Sequence, residues 1–218
     1  WKAFDSGASI NTAFIAKAVD IGAIGSSPVA RGLSAPLNIP YSVVYVLDVA
    51  GENEALVARK DSGVTTLEGL KGKRIATPFA STSHYSLLAA LDHVGLKESD
   101  VTLVDLQPQD ILAAWQRGDI DATYVWLPVL DKLRESGTQL VSSAEVAEWG
   151  KPTLDLGVVS NDLIAKHPEV VEAWRKAEAA GTATILNDPT AAAAAVAAEL
   201  ETTPEDAASQ LKQGVFLT

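Results

Sequence analysis

Residues 72–94 read GKRIATPFASTSHYSLLAALDHV, and this stretch predicts a strand that passes through a polar turn into a helix. The segment of residues 74–79 is short and mostly apolar, as expected of a buried strand. The apolar residues between positions 87 and 94 recur at helical spacing. The stretch is therefore typical of one strand–helix unit of an α/β fold.

The polar turn between this strand and this helix is rich in hydroxyl groups. Ser81 or Thr82 is placed to cap the helix, and Gly95 follows its last turn. The free N–H groups and the dipole at a helix N-terminus favour an anion, and hydroxyl groups add hydrogen-bond donors without adding charge. Two interpretations stay open at this point: an ordinary helix cap, or a binding site for a small anion.

The composition narrows the classes of function. The chain has 218 residues, 47% of them hydrophobic, and its formal net charge of −11 argues against nucleic acids and anionic membrane surfaces as partners. It contains no cysteine, so disulfides, thiolate nucleophiles and thiolate metal sites are excluded. Its three histidines are far apart in sequence and show no metal-ligand spacing. No run of about 18 apolar residues is present to span a membrane.

Strands alternate with helices along the rest of the chain, which predicts an α/β architecture with largely parallel sheets. Further strands are expected at residues 1–5, 19–25, 41–48, 55–59, 101–106, 120–126, 139–142 and 154–159. One helix is expected to start at Pro28, with Ser27 as its cap. The last three helices are each expected to begin near a proline, at Pro168, Pro189 and Pro204.

Two segments share one plan, VDIGAIGSSP at residues 19–28 and DIDATYVWLP at residues 119–128. Each segment follows a helix, runs through small or β-branched residues, and ends with a proline that opens the next helix. The repetition predicts two similar lobes. Chance repetition explains the same pattern, because strand–turn–helix units recur in all α/β folds.

Several longer motifs carry a resemblance to a known family. They are FDSGASI at residues 4–10, ST-x-HYSLLAAL at 81–91, AAWQRGDID at 113–121, WG-x-PTLD at 149–155 and KHPEVV at 166–171. With these motifs the chain resembles, over nearly its whole length, the periplasmic taurine-binding proteins of ABC importers. Those proteins belong to a wider group that binds sulfonates, nitrate and thiamine precursors.

The resemblance implies the type II periplasmic-binding-protein fold, an α/β fold of two lobes joined by crossover strands. Lobe I is expected to comprise residues 1–59 and 155–218, and lobe II residues 60–154. The strand and helix that open lobe I in the family precede FDSGASI and have no counterpart here. We therefore expect the source protein to begin roughly 25–45 residues before Trp1, the length of one strand and one helix.

The resemblance also implies a function. The chain is expected to be a periplasmic, monomeric solute receptor that captures taurine between its lobes and delivers it to an ABC import permease in the membrane. No catalysis, cofactor or metal is expected. A receptor for another small sulfonate, aminophosphonate or anion is an alternative. An enzyme of the pyrimidine-precursor type on the same fold is a further alternative, with His84 as its candidate reactive residue.

The sulfonate of taurine calls for hydrogen-bond donors at one end of the site. The hydroxyl-rich turn of Ser81, Thr82 and Ser83 is the expected sulfonate site in lobe II. By resemblance, Ser26 and Ser27 approach the sulfonate from lobe I, although a capping role alone also explains Ser27.

The ammonium of taurine calls for carboxylates at the other end, because a buried charge has to be paired. Glu54 and Asp155, each beside an expected crossover, are the expected acceptors; a solvated Glu54 is the alternative. Other residues are expected to wall the two-carbon linker or to lie at the edge of the cleft: Tyr85, Tyr124, Trp126 and Gln107. A place in the core is the alternative for Trp126.

Overall fold

The computed structural model describes residues 1–217, which form two compact units. Unit 1 comprises Trp1–Ser9 and Ala50–Thr153, and unit 2 comprises Ile10–Val49 and the residues from Leu154 onward. Each unit has its own sheet and its own core. None of the helices within residues 1–217 is long and apolar enough to cross a membrane.

Strands and helices alternate along most of the chain. The strands are β1 (Ile21–Gly25), β2 (Tyr41–Val49), β3 (Glu54–Arg59), β4 (Arg74–Thr77), β5 (Thr102–Asp105), β6 (Ala122–Trp126), β7 (Gly137–Ser142) and β8 (Leu154–Ser160). The helices are α1 (Gly7–Ile15), α2 (Ser26–Leu33), α3 (Thr82–His93), α4 (Pro108–Arg117), α5 (Val129–Ser136), α6 (Ser143–Glu148), α7 (Asn161–Lys166), α8 (Pro168–Asn187), α9 (Pro189–Glu199) and α10 (Pro204–Leu211). Single helical turns also occur at Lys60–Ser62, Glu68–Leu70 and Glu98–Asp100.

The sheet of unit 1 has five strands in the order β5-β4-β6-β3-β7. Strand β4 runs parallel to β5 and β6, whereas β3 runs antiparallel to β6 and β7. Because β4 and β5 are parallel, their carboxyl ends meet at one edge of the sheet, where Thr77 pairs with Asp105. Helix α3 follows β4 after a short turn, so its N-terminus begins from this edge.

The sequence of β3 explains its place inside this sheet. Ala55, Leu56, Val57 and Ala58 are all fully buried. Leu56 packs with residues of α3 and α6 on one face, and Val57 packs with residues of α4 and α5 on the other. A continuous apolar run of this kind fits a strand that is covered by helices on both faces.

The sheet of unit 2 has three antiparallel strands in the order β1-β8-β2. Its core includes Phe14 from α1, Val29 from α2 and Tyr41 from β2. The Tyr41 hydroxyl donates to Asn11 Oδ1 (3.0 Å), and the Asn11 amide donates to the Pro28 carbonyl (2.8 Å). These bonds satisfy the buried polar side chains of Tyr41 and Asn11.

Helix α8 approaches β8 closely at Gly157. A Cβ atom at this position would lie 2.3 Å from the ring of Trp174 and 3.2 Å from the side chain of Tyr45. Glycine is therefore needed here, because it lets the indole ring of Trp174 lie directly against the backbone of the strand.

The predicted α/β alternation is present, but the prediction of largely parallel sheets was wrong. Strands β3 and β8 each run antiparallel to both of their neighbours, and hydrophobic periodicity carries no information on strand direction. The strand predicted at residues 1–5 was also wrong, since these residues have no regular secondary structure. Residues 1–9 and 50–59, which the expected division assigned to lobe I, lie in unit 1, where β3 pairs with β6 and β7.

Candidate functional site

The turn before α3 fixes the start of that helix. The Ser81 hydroxyl donates to the Pro78 carbonyl (2.5 Å) and accepts from the His84 N–H (3.1 Å), so Ser81 is the N-cap. This confirms the predicted cap. The N–H groups of Thr82 and Ser83 lie in the first turn, where a helix offers no carbonyl partner. They are therefore available to an anion.

Buried polar atoms without a partner lie beside this turn. Thr77 Oγ1, at the end of β4, and Ser83 Oγ are wholly buried and make no hydrogen bond within residues 1–217. The same holds for Gln107 Oε1, which follows β5 at the start of α4. Leaving such a group unsatisfied costs about 1–3 kcal/mol. A polar ligand at this edge of the sheet would remove that cost.

Glu54, at the start of β3, is a buried carboxylate with 3% of its surface exposed. It accepts hydrogen bonds from the hydroxyl groups of Thr82 (2.6 Å), Ser143 (2.7 Å) and Ser86 (3.4 Å). These donors replace the water that the charge loses on burial. Glu54 and Thr82 were expected at opposite ends of a ligand, and the structure joins them directly.

Ser86 and Ser143 belong to the Glu54 cluster and were missed by the sequence reasoning. Ser86 lies four residues after Thr82, and this spacing places both hydroxyls on one face of α3. That signal was present in the sequence. Ser143 is separated from Glu54 by 89 residues, and no local pattern connects the two.

The three aromatic residues expected at the site differ in exposure. Tyr124, on β6, is fully buried, its hydroxyl lies 3.0 Å from that of Ser143, and burial raises the pKa of Tyr124 far above its usual value. Trp126, at the end of β6, is half-buried and pairs with Glu54 in the strand register. Tyr85, in the first turn of α3, is 44% exposed.

Ser26 and Ser27 form the first turn of α2 in unit 2. The cap of this helix is Gly25, and it has no side-chain cap bond, so the prediction of Ser27 as the cap was wrong. The helix starts earlier than predicted because the fixed φ of Pro28 fits any position of a first turn. Ser26 Oγ accepts from the Leu154 N–H (3.2 Å), which joins α2 to the start of β8.

Asp155 lies on β8, opposite Gly25 of β1 and Asp48 of β2. Burial raises the pKa of Asp155, and a hydrogen bond with Asp48 opposes that rise. Two carboxyl groups share a hydrogen bond only if one of them holds a proton. Asp48 was missed by the sequence reasoning, because an irregularity between Val46 and Asp48 brings it opposite Asp155 and simple alternation does not predict such a shift.

The structure places the predicted site residues in two groups. Unit 2 contains Ser26, Ser27 and Asp155, and unit 1 contains Glu54, Ser81, Thr82, Ser83, Tyr85, Gln107, Tyr124 and Trp126. Within residues 1–217, no group of three or more His, Asp or Glu side chains is arranged to hold a metal ion.

Comparison with known sequences identifies relatives of the chain. The family model described as NMT1/THI5 like matches residues 7–192. The taurine-binding periplasmic protein of Escherichia coli (strain K12) is 51% identical over 176 residues, which are 81% of this chain and 54% of that protein. The chain spans about half the length of the curated relatives it matches.

Solved structures of low sequence identity share the fold. The alkanesulfonate-binding protein SsuA from Xanthomonas axonopodis pv. citri, bound to MOPS, is 22% identical with a TM-score of 0.87, over 99% of this chain and 73% of that one. The aliphatic sulphonate binding protein SsuA from Escherichia coli is 22% identical with a TM-score of 0.80, over 100% and 74%. The desulfurization enzyme DSZB is 17% identical with a TM-score of 0.67, over 90% and 70%. The predicted periplasmic-binding-protein fold is thus confirmed, and, with the family model matched over most of its length, the chain belongs to the NMT1/THI5-like family.

Proposed function

We propose that the chain is a monomeric, periplasmic solute receptor that captures taurine and delivers it to an ABC import permease. The 51% identity to a taurine-binding periplasmic protein supports the choice of ligand. The observation that carries the proposal is the pair of buried hydroxyl groups, Thr77 and Ser83, that have no partner within residues 1–217. They lie where β4 passes into α3 and offer neutral donors to a sulfonate.

The sulfonate is proposed to bind at the N-terminus of α3. The N–H groups of Thr82 and Ser83 and the Ser83 hydroxyl donate to its oxygens, and Ser81 keeps the turn in place. The Thr82 hydroxyl already donates to Glu54, so Thr82 offers the anion its backbone N–H. In unit 2, the first turn of α2 with Ser26 and Ser27 likewise carries helix N-terminal donors of the kind that suit an anion.

The ammonium is proposed to bind Asp155. Without a ligand, the shared proton compensates negative charge on the Asp48–Asp155 pair. A bound cation would compensate the same charge, so ligand binding should release that proton. Glu54 acts through Thr82: its carboxylate accepts the hydrogen bond of the Thr82 hydroxyl, so the lone pairs of the Thr82 oxygen remain available as an acceptor. The two acidic residues of the sequence prediction thus contribute in different ways.

The remaining predicted residues are proposed to line the two-carbon linker of taurine. Trp126 and Tyr85 have ring surface that is not buried in unit 1. Tyr124 supports the site from the core through its hydroxyl group and Ser143. Gln107 Oε1 is a buried acceptor without a partner in residues 1–217 and is proposed to lie at the edge of the site.

An enzyme is the alternative from a different class. The desulfurization enzyme DSZB has the same fold, so the fold alone does not decide between catalysis and binding. His84 is the candidate base, and its Nδ1 accepts from the Ala80 N–H (3.2 Å). Its Nε2 makes no hydrogen bond within residues 1–217, so no nucleophile is activated there. We therefore favour binding without catalysis.

Calorimetry with taurine and with 1-propanesulfonate, which lacks the amine, tests the proposal. Taurine should bind, and 1-propanesulfonate should bind roughly 10- to 100-fold more weakly, because it leaves the Asp48–Asp155 pair without a cation. Ser83→Ala and Thr77→Val should each weaken taurine binding by roughly 1.5–3 kcal/mol, or about 10- to 150-fold.

Ser209→Ala, on the exposed surface of α10, is the matched control and should bind as the wild type. A wild type that binds neither ligand overturns the proposed function. Equal affinity for both ligands would instead point to a receptor for alkanesulfonates.

A further inference from the structure

The turn between β4 and α3 contains a residue in an unusual backbone conformation. Ala80 has a φ angle of 59°, in the left-handed region that residues other than glycine rarely adopt. Such a conformation persists only where the surrounding contacts hold it. The contacts of Ala80 therefore determine how the first turn of α3 is presented.

His84 supplies those contacts from within α3. The Ala80 N–H donates to His84 Nδ1 at 3.2 Å. The imidazole is also stacked on Phe79, with ring centroids 4.6 Å apart and an angle of 10° between the planes. The Phe79 N–H in turn donates to Asp105 Oδ1 (2.9 Å). One side chain thus holds two consecutive residues of the turn.

This geometry requires a neutral imidazole. Nδ1 accepts a hydrogen bond, so it carries no proton, and the ring proton is on Nε2. A second proton on His84 would make Nδ1 a donor that faces the Ala80 N–H. The bond that holds Ala80 would then be lost, and the two N–H groups would repel each other.

The surroundings of His84 favour that neutral form. Burial lowers the pKa of His84, while Glu98 and Asp105, which face it from the turn Glu98–Asp100 and from β5, act in the opposite direction. Thr82 and Ser83, its neighbours in the first turn of α3, carry no charge. The ring is therefore neutral at pH 7 and becomes protonated only below the ordinary histidine pKa of about 6.5.

We propose that His84 is a positioning residue, whose neutral ring holds Ala80 and so keeps the start of α3 in the conformation that binds the sulfonate. In acid, protonation of His84 breaks the hydrogen bond to the Ala80 N–H and weakens ligand binding. The ligand part of the proposal rests on the proposed function, and the structural part does not. If His84 instead contacted the sulfonate directly, acid would strengthen ligand binding, because the anion would favour protonation of the histidine.

Nitrogen and proton NMR of the ligand-free protein tests the structural part. His84 should be the neutral tautomer with its proton on Nε2 at pH 7, and the Ala80 amide resonance should shift as His84 titrates. If the chemical shift of the Ala80 amide does not change while His84 titrates, the proposal is overturned. This outcome does not depend on any ligand, so it is distinct from a failure of the proposed function.

Calorimetry with taurine over a range of pH tests the ligand part. Wild-type affinity should fall by up to about tenfold per pH unit below the pKa of His84, as expected for one linked proton. His84→Asn keeps an acceptor oxygen near the position of Nδ1 but does not titrate. This variant should bind taurine as tightly as the wild type at neutral pH, and its affinity should not fall in acid as that of the wild type does. His84→Ala removes the acceptor and should bind more weakly at neutral pH.

His93→Asn is the matched control, because His93 lies at the other end of α3 and stacks on Trp149. It should keep the wild-type pH profile. If the affinity of both the wild type and His84→Asn falls in acid, the shared part of that fall is caused by the titration of other groups, such as the Asp48–Asp155 pair. If the two profiles are identical, or if acid strengthens binding, the positioning role is excluded.

Discussion

Glu54 shows how a single charged residue is kept inside unit 1. Each hydrogen bond from a hydroxyl to a carboxylate contributes about 1.5–3 kcal/mol, and a buried charge without them costs several kcal/mol. Thr82, Ser86 and Ser143 come from two helices that pack on the same face of the sheet. The cluster therefore stabilises the packing of α3 and α6 as well as the proposed site.

Ser143→Ala tests this role at the level of one hydroxyl. The change removes the 2.7 Å bond to Glu54 and one partner of the Tyr124 hydroxyl. The free energy of unfolding should fall by roughly 1.5–3 kcal/mol. Urea unfolding measures it, with Ser209→Ala as a surface control that should change by less than about 0.5 kcal/mol. An unchanged midpoint for Ser143→Ala would show that Glu54 does not depend on this donor.

At the scale of elements, strands β2 and β8 bring two acidic residues together. Burial raises the pKa of Asp155, so the folded protein binds the shared proton more tightly than the unfolded chain does. The stability from this group is therefore present below the unfolded pKa of about 3.9 and is lost as the pH rises through the folded pKa. The pair carries a stability penalty at neutral pH, as sites that bind cations often do.

Asp155→Asn should remove that penalty, because the amide donates to Asp48 without a titrating proton. The melting temperature should rise relative to wild type at neutral pH, and the difference should shrink towards about pH 4. Taurine binding should weaken at the same time. Thermal melts across this range measure the effect, with Asp162→Asn on the exposed α7 as control. A variant that melts below the wild type at neutral pH contradicts this account.

The elements also show what the sequence predicted and what it did not. Leu87 and Leu91 of α3 are buried as their spacing indicated, and Ser81 caps the helix, because both features depend on residues close in sequence. The bond from Ser143 to Glu54 spans 89 residues, and the pairing of Asp155 with Asp48 depends on an irregular strand. Such contacts depend on the topology, which periodicity leaves undetermined.

At the scale of the whole chain, the net charge opposes the binding of an anion. There are 28 acidic and 17 basic residues, and the start of α3 offers hydroxyl and N–H groups in place of Lys or Arg. A zwitterion has no net charge, so the negative field of the protein affects it little. A simple anion is repelled by the same field.

The effect of salt should therefore differ between two ligands. Taurine affinity should change by less than roughly threefold between about 0.05 and 0.5 M NaCl, whereas 1-propanesulfonate should bind better at high salt, where the repulsion is screened. Calorimetry at the two salt concentrations measures both. A steep loss of taurine affinity with salt would indicate that a basic side chain holds the sulfonate.

The contact between Trp174 and Gly157 gives unit 2 an optical reporter. Of the five tryptophans in the sequence, Trp174 is the one in unit 2. Its indole lies against the backbone of β8, two residues from Asp155. With the other four tryptophans replaced by phenylalanine, the wavelength and intensity of the remaining emission would follow the polarity around this strand. Proton release and ligand arrival at the acid pair would then be visible in a fluorimeter, without any attached dye.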